Sequence, residues 1–386
     1  MRKIYLDNAA AAPIDPIVQK EVARGMKVYG NPSSFNDAGR QASKELAKAR
    51  LKIARFLGAH AEEIIFTSSG SEANNMAIMG PVFVSPKDKS EIVTTPIEHP
   101  SVLESVKFLR CEGKSCLYVK VDEFGFVDIP DMSSKISDKT LMVSVMYANN
   151  EIGTIEPITK IGKIIRTFRD KRSKFPLFHI DACQAAGYLN MNVNSFQADL
   201  VTFNGSKIGG PRGIGVLYVR RGTSLAPYVL GGGQERGLRA GTENLPAILG
   251  LAKAIELIDK KESVRLIKLR DYFINKIRQT GPEIKLNGPI GRDRLPNNLN
   301  ISIPRLDSEN LLLELDKYGI YAGSGSACTS RSVEPSHVLK AIGVDKKYLS
   351  GALRFSMGRQ TTKNDLDYVL KVLPKIIQNL KKRYGK

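Results

Sequence analysis

The sequence contains no tryptophan, and only four cysteines and four histidines occur among its 386 residues. Four cysteines in so long a chain do not form a disulfide framework. Cys111 and Cys116 have neither the spacing nor the nearby histidines of a zinc site, so we expect no intrinsic metal. No uninterrupted apolar run is long enough to cross a bilayer, and the first residues lack the apolar stretch of a secretion signal. We therefore expect a cytoplasmic protein without a membrane partner.

The charge is strongly of one sign, because 58 Lys and Arg residues outnumber 39 Asp and Glu residues and give a formal net charge of +19. Such a field attracts nucleic acid or acidic proteins. The basic residues are dispersed along the chain, however, and no recognisable nucleic-acid-binding module accompanies them. We expect no specific nucleic-acid partner, and an acidic protein partner is the better expectation.

The chain alternates strand-like apolar runs with amphipathic helical patterns from about residue 15 to residue 262. This alternation is typical of an α/β domain with a mostly parallel sheet. Beyond Pro246 the pattern predicts one long helix over residues 247–279, followed by a second set of strands and helices. We predict a large domain over residues 14–262 and a smaller α+β domain formed by residues 1–13 and 263–386.

Two strand ends carry the most informative residues. The apolar strand at 177–180 ends in Asp181, and the strand at 200–203 ends in Asn204 and continues to Lys207. Adjacent parallel strands place a carboxylate and a lysine at one edge of the sheet. Pyridoxal phosphate (PLP) needs a lysine that forms a Schiff base and an acid that keeps its pyridine nitrogen protonated. Each residue alone has an ordinary alternative, a turn lysine or a helix-capping aspartate, but the pair favours the cofactor.

Residues 66–75 form a strand, a turn of small residues and the start of a helix. Backbone N–H groups at such a helix N-terminus, together with the Ser71 hydroxyl, make an anion site. A plain helix cap at Ser71 is the alternative. The string at 205–207 superficially resembles a P-loop but lacks the Walker spacing, so we exclude a nucleotide.

A family resemblance runs nearly end to end along the chain. It is carried, in order, by residues 7–10, 30–34, 97–99, 149–154, 179–184, Lys207, 232–244, 324–328 and 353–356. With these stretches the sequence resembles the NifS/IscS-type cysteine desulfurases, which are PLP enzymes of fold type I in the class V aminotransferase family. The resemblance implies a large domain with a mostly parallel seven-stranded sheet and a smaller α+β domain.

The resemblance also implies a role for individual residues. Lys207 corresponds to the lysine that carries PLP as a Schiff base, Asp181 to the partner of the pyridine nitrogen, and Gln184 to the partner of the ring's phenolic oxygen. His99 corresponds to the residue that stacks on the ring and moves protons. Cys328 corresponds to the catalytic nucleophile.

Further contacts to the cofactor and the substrate follow in the same way. The other cofactor-binding residues implied are Gly70, Ser71, Asn150, Asn204, Ser206 and Thr242. In the family, Thr242 reaches the phosphate from the other subunit, which implies a homodimer. Arg354 would bind the α-carboxylate of the substrate, with Asn150 beside it. Ser206 stands where the family commonly has a histidine, so one phosphate or ring contact is expected to be weaker.

Cys328 lies in a glycine- and serine-rich stretch at 323–330, which predicts a mobile loop and not a buried structural cysteine. Mobility suits a nucleophile that collects sulfur at the cofactor and carries it elsewhere, and such a thiol can also ligate an iron–sulfur cluster transiently. An oxidisable surface thiol is the alternative for this residue alone.

The resemblance implies that L-cysteine is converted to L-alanine while its sulfur becomes a persulfide on Cys328. The expected partners are L-cysteine, a second subunit and a sulfur-acceptor protein such as an iron–sulfur scaffold. Two alternatives stay open at this point. One is a selenocysteine lyase or another class V enzyme, and the other is a nucleic-acid-binding or sulfur-relay scaffold that has lost catalysis.

Overall fold

A computed structural model describes residues 3–169, 173–281, 283–325 and 335–384. The strands are β1 (Ile4–Tyr5), β2 (Ile64–Thr67), β3 (Glu91–Thr94), β4 (Ser115–Tyr118), β5 (Thr140–Ser144), β6 (Leu177–Asp181), β7 (Leu200–Asn204), β8 (Gly215–Val219), β9 (Lys285–Leu286), β10 (Asn298–Ser302), β11 (Ile320–Tyr321) and β12 (Ala352–Ser356). The helices are α1 (Pro16–Met26), α2 (Asp37–Leu57), α3 (Gly70–Met79), α4 (Pro100–Cys111), α5 (Ile129–Lys135), α6 (Ile158–Thr167), α7 (Val193–Phe196), α8 (Leu245–Glu256), α9 (Lys260–Thr280), α10 (Ser308–Lys317), α11 (His337–Ala341), α12 (Lys346–Leu349) and α13 (Lys363–Tyr384).

The largest sheet has seven strands in the order β2-β8-β7-β6-β5-β3-β4. Strand β8 runs antiparallel to both of its neighbours, and the other neighbouring pairs are parallel. Every residue of the central strands β5 and β6 is buried, as continuous apolar runs predict for a sheet covered on both faces. The mostly parallel sheet and its strand number agree with the prediction.

Alternate residues of a strand point to opposite faces of the sheet, and apolar residues lie on both faces here. Helices therefore pack on both faces. On one face, Val143 of β5 belongs to the same core cluster as Ile161 of α6. On the other face, Met142 of β5 clusters with Val106 of α4. This three-layer packing fixes the positions of the strand ends, and therefore of the side chains that follow them.

A second group of elements packs beside the large sheet. Strands β12, β10 and β9 form an antiparallel sheet, and β1 pairs in parallel with β11. Ile4 and Leu6 are buried in the same cluster as Phe273 of α9 and Val369 of α13. The first residues thus pack with the last third of the chain, while the domain limits at residues 14 and 262 stay a prediction. Among the described residues, no helix is both long enough and apolar enough to span a membrane.

The single helix predicted over residues 247–279 is wrong, because α8 and α9 are separate helices. Helix α8 ends with Leu257 as its C-cap, and α9 begins after Asp259. The Asp259 carboxylate accepts a hydrogen bond from the Lys261 backbone N–H at 2.8 Å. Such an N-cap is a signal for a helix start, but the apolar Leu257 and Ile258 conceal it in the sequence pattern.

Gly162 offers a test of the packing between α6 and α7. A Cβ atom at this position would lie 1.9 Å from the backbone oxygen of Phe196. Replacing a mid-helix glycine with alanine favours the helix by about 1 kcal/mol, whereas overpacking a rigid contact costs about 1–3 kcal/mol. We expect Gly162→Ala to lower the free energy of unfolding, measured by urea denaturation. The neighbouring exposed Lys163→Ala is the control, and a Gly162→Ala protein as stable as this control would contradict the packing.

Candidate active site

A cavity of about 410 Å³ opens at the carboxyl edge of the large sheet, facing the sheet that contains β12. Asp181 is the last residue of β6 and Asn204 the last residue of β7, and Lys207 lies in the short turn after β7. The structure brings most of the predicted site residues to this cavity: Gly70, Ser71, His99, Asn150, Asp181, Gln184, Asn204, Ser206, Lys207 and Arg354.

The Asp181 carboxylate is buried and fixed by two donors. One oxygen accepts a hydrogen bond from Asn74 Nδ2 at 2.7 Å, and the other accepts one from the Cys183 backbone N–H at 2.9 Å. Asn74 also donates to Ser101 Oγ at 2.8 Å. Because both carboxylate oxygens are held, Asp181 presents a defined negative charge to the cavity.

Ala9 and Ala10 of the N-terminal segment form another part of the cavity wall. Lys207 Nζ donates to the backbone oxygen of Ala10 at 2.5 Å, and Gln184 Nε2 donates to the backbone oxygen of Ala9 at 3.0 Å. Two consecutive carbonyl groups therefore orient the amine and the amide that the sequence singled out.

His99 lies at the start of α4 and is the N-cap of this helix. Its Nδ1 atom accepts a hydrogen bond from the Ser101 backbone N–H at 3.1 Å and lies 2.8 Å from Ser101 Oγ. Burial lowers the pKa of His99, although the nearby Asp181 carboxylate acts in the opposite direction. The geometry therefore favours a neutral ring with its proton on Nε2.

A smaller cavity of about 170 Å³ adjoins the first at the N-terminus of α3. It is lined by Gly70 and Ser206 together with Arg212. Ser206 Oγ donates to Asn204 Oδ1 at 3.0 Å. A Cβ atom on Gly70 would lie 2.7 Å from Asn204 Nδ2 and 2.8 Å from Cys183 Sγ, so a larger residue would displace these two side chains. Helix-terminal N–H groups, a hydroxyl and a guanidinium are suitable ligands for a phosphate.

Arg354 comes from β12 and is buried beside the cavity, with 2% of its surface exposed. One of its terminal nitrogens donates to Asp7 at 2.8 Å, and the other donates to the Asn150 backbone oxygen at 3.0 Å. Its Nε atom has no hydrogen-bond partner among the described residues. The guanidinium is thus fixed in orientation and keeps further N–H donors, Nε–H among them, for an incoming group.

Two predicted residues lie elsewhere. Thr242 is exposed and does not line the cavity of its own chain. Cys328 lies outside the described residues, which stop at Gly325 and resume at residue 335. Gly325 itself lines the cavity, so the described part of the chain stops beside the candidate site.

Several cavity residues received no role from the sequence, namely Asn74, Ser101, Glu151 and His337. Glu98 lies directly behind the cavity and accepts hydrogen bonds from the Met146 backbone N–H at 2.9 Å and from Thr95 Oγ1 at 2.8 Å. Complete burial raises the pKa of Glu98 to about 8. Glu98 and Glu151 occur within the stretches that carry the resemblance, and Asn74 lies in the helix start at 66–75, but only the folded contacts distinguish them from ordinary core polar residues.

The cavity suits PLP by its donor set and its unused polar atoms. A carboxylate for a ring nitrogen, an amine for an aldehyde and an anion site for a phosphate line the connected space around Asp181, Lys207 and Gly70. Asn74 Oδ1 and Arg354 Nε are buried without a hydrogen-bond partner among the residues that the structure describes. Buried polar atoms without partners are rare in folded proteins, and here they lie at the wall of a cavity that can hold a ligand.

The chemistry of the cavity predicts a low reactivity for Cys183. Burial raises the pKa of the Cys183 thiol, and the adjacent Asp181 carboxylate raises it further. Alkylation requires the thiolate. At pH 8 we expect iodoacetamide to modify the exposed Cys111 at least about tenfold faster than Cys183, with the difference narrowing as the pH rises. Mass mapping of alkylated peptides measures both rates, and unfolding in urea should equalise them. Equal rates in the folded protein at pH 8 would contradict the geometry.

Comparison with known proteins identifies the family of the chain. The family described as "Aminotransferase class-V" matches residues 4–369. The chain is 44% identical to a protein named "Cysteine desulfurase IscS" from Dictyoglomus turgidum, over 98% of this chain and 96% of that protein.

Solved structures give the same result. A "NifS-like protein" is 35% identical with a TM-score of 0.90, covering 98% of this chain and 100% of that one. A structure titled "SspA in complex with cysteine" is 31% identical with a TM-score of 0.81, covering 92% and 99% of the two chains. These matches confirm the predicted family, the α/β fold class and the enzyme class, and the family implies PLP as the cofactor. The chain belongs to the NifS/IscS-type cysteine desulfurases of the class V aminotransferase family.

Proposed function

We propose that the protein transfers the sulfur atom of L-cysteine to the thiol of Cys328 and releases L-alanine. The observation that carries this proposal is that Lys207, Asp181 and Arg354 line one cavity. The reaction balances without an external oxidant or reductant. The carbon–sulfur bond of cysteine breaks and a sulfur–sulfur bond forms on Cys328, while the methyl carbon of alanine gains the proton that the thiol loses. Two electrons pass from sulfur to carbon, so sulfur is oxidised and carbon is reduced.

Four residues would hold the cofactor ring. Lys207 would bind its aldehyde carbon, Asp181 its pyridine nitrogen and Gln184 its phenolic oxygen, with His99 against its face. When bound, PLP supplies an electron sink for the negative charge that develops on the substrate Cα. The fixed Asp181 carboxylate supports this role because it would keep the ring nitrogen protonated.

The phosphate group would lie at the N-terminus of α3. Gly70 and Ser71 provide the helix terminus, and Ser206 with Asn204 provides a hydroxyl–amide pair next to it. The close approach of Asn204 and Cys183 to Gly70 supports this placement, because a larger residue would displace the Asn204 side chain that lies beside the helix terminus.

The substrate would be oriented by Arg354, with Asn150 at its side. Asp7 and the Asn150 backbone oxygen fix the guanidinium, while Arg354 Nε–H and the second N–H of each terminal nitrogen would be donors to the α-carboxylate. The Lys207 amine would take the proton from the substrate Cα. In its neutral form His99 would donate a hydrogen bond from Nε2, and it would act as a proton donor only after taking up a proton to form the imidazolium.

The functional unit would be a homodimer in which Thr242 reaches the phosphate site of the partner. Support comes from large apolar side chains left exposed near this segment: Tyr29 is 89% exposed, Phe35 94% and Leu230 82%. Gly25 of α1 packs against Pro246 of α8, so the loop after α1 and the Thr242 segment lie at the same corner. Exposed apolar patches of this kind mark protein–protein contacts.

The persulfide would pass to a sulfur-acceptor protein, and an iron–sulfur scaffold is the acceptor that we propose. The formal net charge of +19 supports an acceptor with an acidic surface, because opposite charges accelerate association. A transient iron–sulfur cluster ligated by Cys328 is compatible with the same transfer.

Cys328→Ala should separate cofactor binding from sulfur transfer. We expect the variant to keep the yellow colour of bound PLP and its absorbance change on addition of L-cysteine, but to form no persulfide at residue 328. Alkylation followed by mass spectrometry measures the persulfide. Cys111→Ala, which removes an exposed cysteine at the end of α4, is the matched control and should behave as wild type. A persulfide elsewhere in the Cys328→Ala protein, formed at the wild-type rate, would refute the role of Cys328.

Mixed dimers test the origin of Thr242. We expect Thr242→Ala to weaken PLP binding about tenfold or more, the effect of losing a hydrogen bond to a charged group. Lys207→Ala should remove the covalent PLP absorbance. In a dimer of one Lys207→Ala chain and one Thr242→Ala chain, one site receives both wild-type residues if Thr242 acts across the interface. Titration with PLP should therefore give one wild-type site for each mixed dimer, and no such site if Thr242 acts within its own chain.

A further inference from the structure

Asn74 and Ser101 are cavity residues to which the proposed chemistry assigns no role. Asn74 belongs to α3 and is buried, with 1% of its surface exposed, whereas Ser101 lies in the first turn of α4. Their side chains lie between two groups that the proposed chemistry does use, the Asp181 carboxylate and the His99 imidazole. The four residues form one continuous series of hydrogen bonds.

The Asp181 carboxylate determines how the Asn74 amide is oriented. An ionised carboxylate only accepts hydrogen bonds, so the amide turns its NH2 group toward it. Asn74 Nδ2 donates to Asp181 at 2.7 Å and to Ser101 Oγ at 2.8 Å, so both of its hydrogens are used. A rotated amide would place Oδ1 against the carboxylate and lose both bonds.

The Ser101 hydroxyl continues the series to His99. Its oxygen accepts from Asn74, and its single hydrogen is then left to donate to His99 Nδ1, which lies 2.8 Å away. The Ser101 backbone N–H also donates to Nδ1 at 3.1 Å. Because a backbone N–H cannot accept, Nδ1 carries a lone pair and the proton of the neutral ring is on Nε2.

Contacts outside the series hold the backbone of Ser101 in place. Its backbone oxygen accepts hydrogen bonds from Asn75 Nδ2 at 3.2 Å and from Ser105 Oγ at 2.9 Å. Helices α3 and α4 are thus joined beside the cavity by contacts that do not involve the Ser101 hydroxyl. The hydroxyl can therefore be removed while the backbone stays where it is.

We infer that Asn74 and Ser101 are positioning residues that hold His99 in its neutral form with the proton on Nε2, the form in which it meets the substrate. The Asp181 carboxylate sets the direction of their hydrogen bonds. Hydrogen bonds that run in one direction polarise one another, so a charge at one end favours the whole arrangement. The hydrogen bonds themselves do not need the cofactor, and only their importance for catalysis rests on the proposed function.

The titratable groups that face His99, among the residues that the structure describes, are Asp181 of β6, Lys207 after β7 and His337 of α11. Burial lowers the pKa of His99 most strongly, Lys207 and His337 lower it as well, and Asp181 raises it. The two donors at Nδ1 act in the same direction as burial, because Nδ1 cannot accept from them once it is protonated. Loss of the hydroxyl donor should therefore raise the pKa of His99.

Nitrogen-15 NMR of the imidazole measures both the position of the proton and the pKa. The chain contains only four histidines, and a His99→Gln protein identifies the signals of His99. We expect the proton of neutral His99 to be on Nε2 in wild type. Asn74→Ala and Ser101→Ala should each raise the pKa, with an acid dissociation constant about fivefold lower, the effect of one lost hydrogen bond. The full-length protein is measured both with PLP and after its removal.

A double variant tests whether the two residues act in series. If Asn74 acts on His99 through the Ser101 hydroxyl, adding Asn74→Ala to the Ser101→Ala protein should change the dissociation constant by less than about twofold. An Asn74→Ala effect that is equally large with and without this hydroxyl would overturn the inference. Asn74 would then act on the imidazole only through the charge of Asp181.

Ser105→Ala is the matched control. It removes a serine hydroxyl one turn further along α4, which donates to the Ser101 backbone oxygen and lies outside the series. The pKa of His99 in this variant should equal that of wild type, and melting temperatures compared with this control show that the other variants are folded. The Ser101→Ala protein decides the question even if Asn74→Ala does not fold. A proton on Nδ1 of neutral His99 in wild type would contradict the inference outright.

The pH profile of alanine release tests the importance for catalysis, because kcat/KM reports the ionisation of the free enzyme. A raised pKa of His99 moves the loss of the neutral form to higher pH. We expect kcat/KM of Asn74→Ala and Ser101→Ala to be about fivefold lower than wild type below both pKa values, and within about twofold of it above both. A loss of the same size at every pH would indicate a merely structural role and would overturn the inference.

The outcomes distinguish this inference from the proposed function. If wild type releases no alanine from L-cysteine, the proposed function fails, while the NMR measurements still decide whether Asn74 and Ser101 control His99. If wild type releases alanine and the two variants show a raised pKa of His99 but an unchanged pH profile, the catalytic part of the inference is overturned and the proposed function stands.

Discussion

The parallel pairing of β6 with β7 is the constraint on which the site depends. Pairing of Asp181 with Thr202 places the ends of the two strands side by side, so that Asp181 and the turn leading to Lys207 reach the same edge. Helices pack on both faces of the sheet, and this burial holds the register, since a slip by one residue would turn each side chain to the other face. The core therefore fixes the position of Asp181 and of the start of the turn that carries Lys207.

The site also depends on hydrogen bonds that connect the two sheets. Asp7 binds Arg354 of β12, and Asn8 Nδ2 donates to the Ser356 backbone oxygen at 2.7 Å. Arg354 in turn donates to the backbone oxygen of Asn150, which follows the large sheet. These contacts connect the wall of the cavity that follows the large sheet to the wall formed by β12. Any movement of one sheet relative to the other would change the orientation of the guanidinium.

The sequence predicts the parts of the molecule that depend on local patterns. The apolar strands and the residues that follow them are visible as patterns, which is why Asp181 and Lys207 could be paired before the fold was known. The single helix at 247–279 failed because the apolar periodicity continues through Leu257 and Ile258 while the cap at Asp259 interrupts the backbone.

The shape of the site is not contained in such patterns. Asn74 could not be distinguished from a surface polar residue, because its role arises from contacts to Asp181 and Ser101 that are distant in the chain. The same holds for Glu151, whose partner Ser336 lies 185 positions further on. Thr242 and Cys328 remain known only through the family, since one is exposed on its own chain and the other lies beyond the described residues.

The wall formed by residues 9 and 10 has a consequence for mutational scans. Lys207 and Gln184 are held there by backbone carbonyl oxygens and not by side chains. Exchanging the methyl groups of Ala9 and Ala10 for other small groups leaves both acceptors in place. Side-chain substitutions at Ala9 and Ala10 will therefore have little effect on the orientation of Lys207 and Gln184. Only a change in the main chain, such as an ester in place of an amide, will show how strongly the two carbonyl groups orient these side chains.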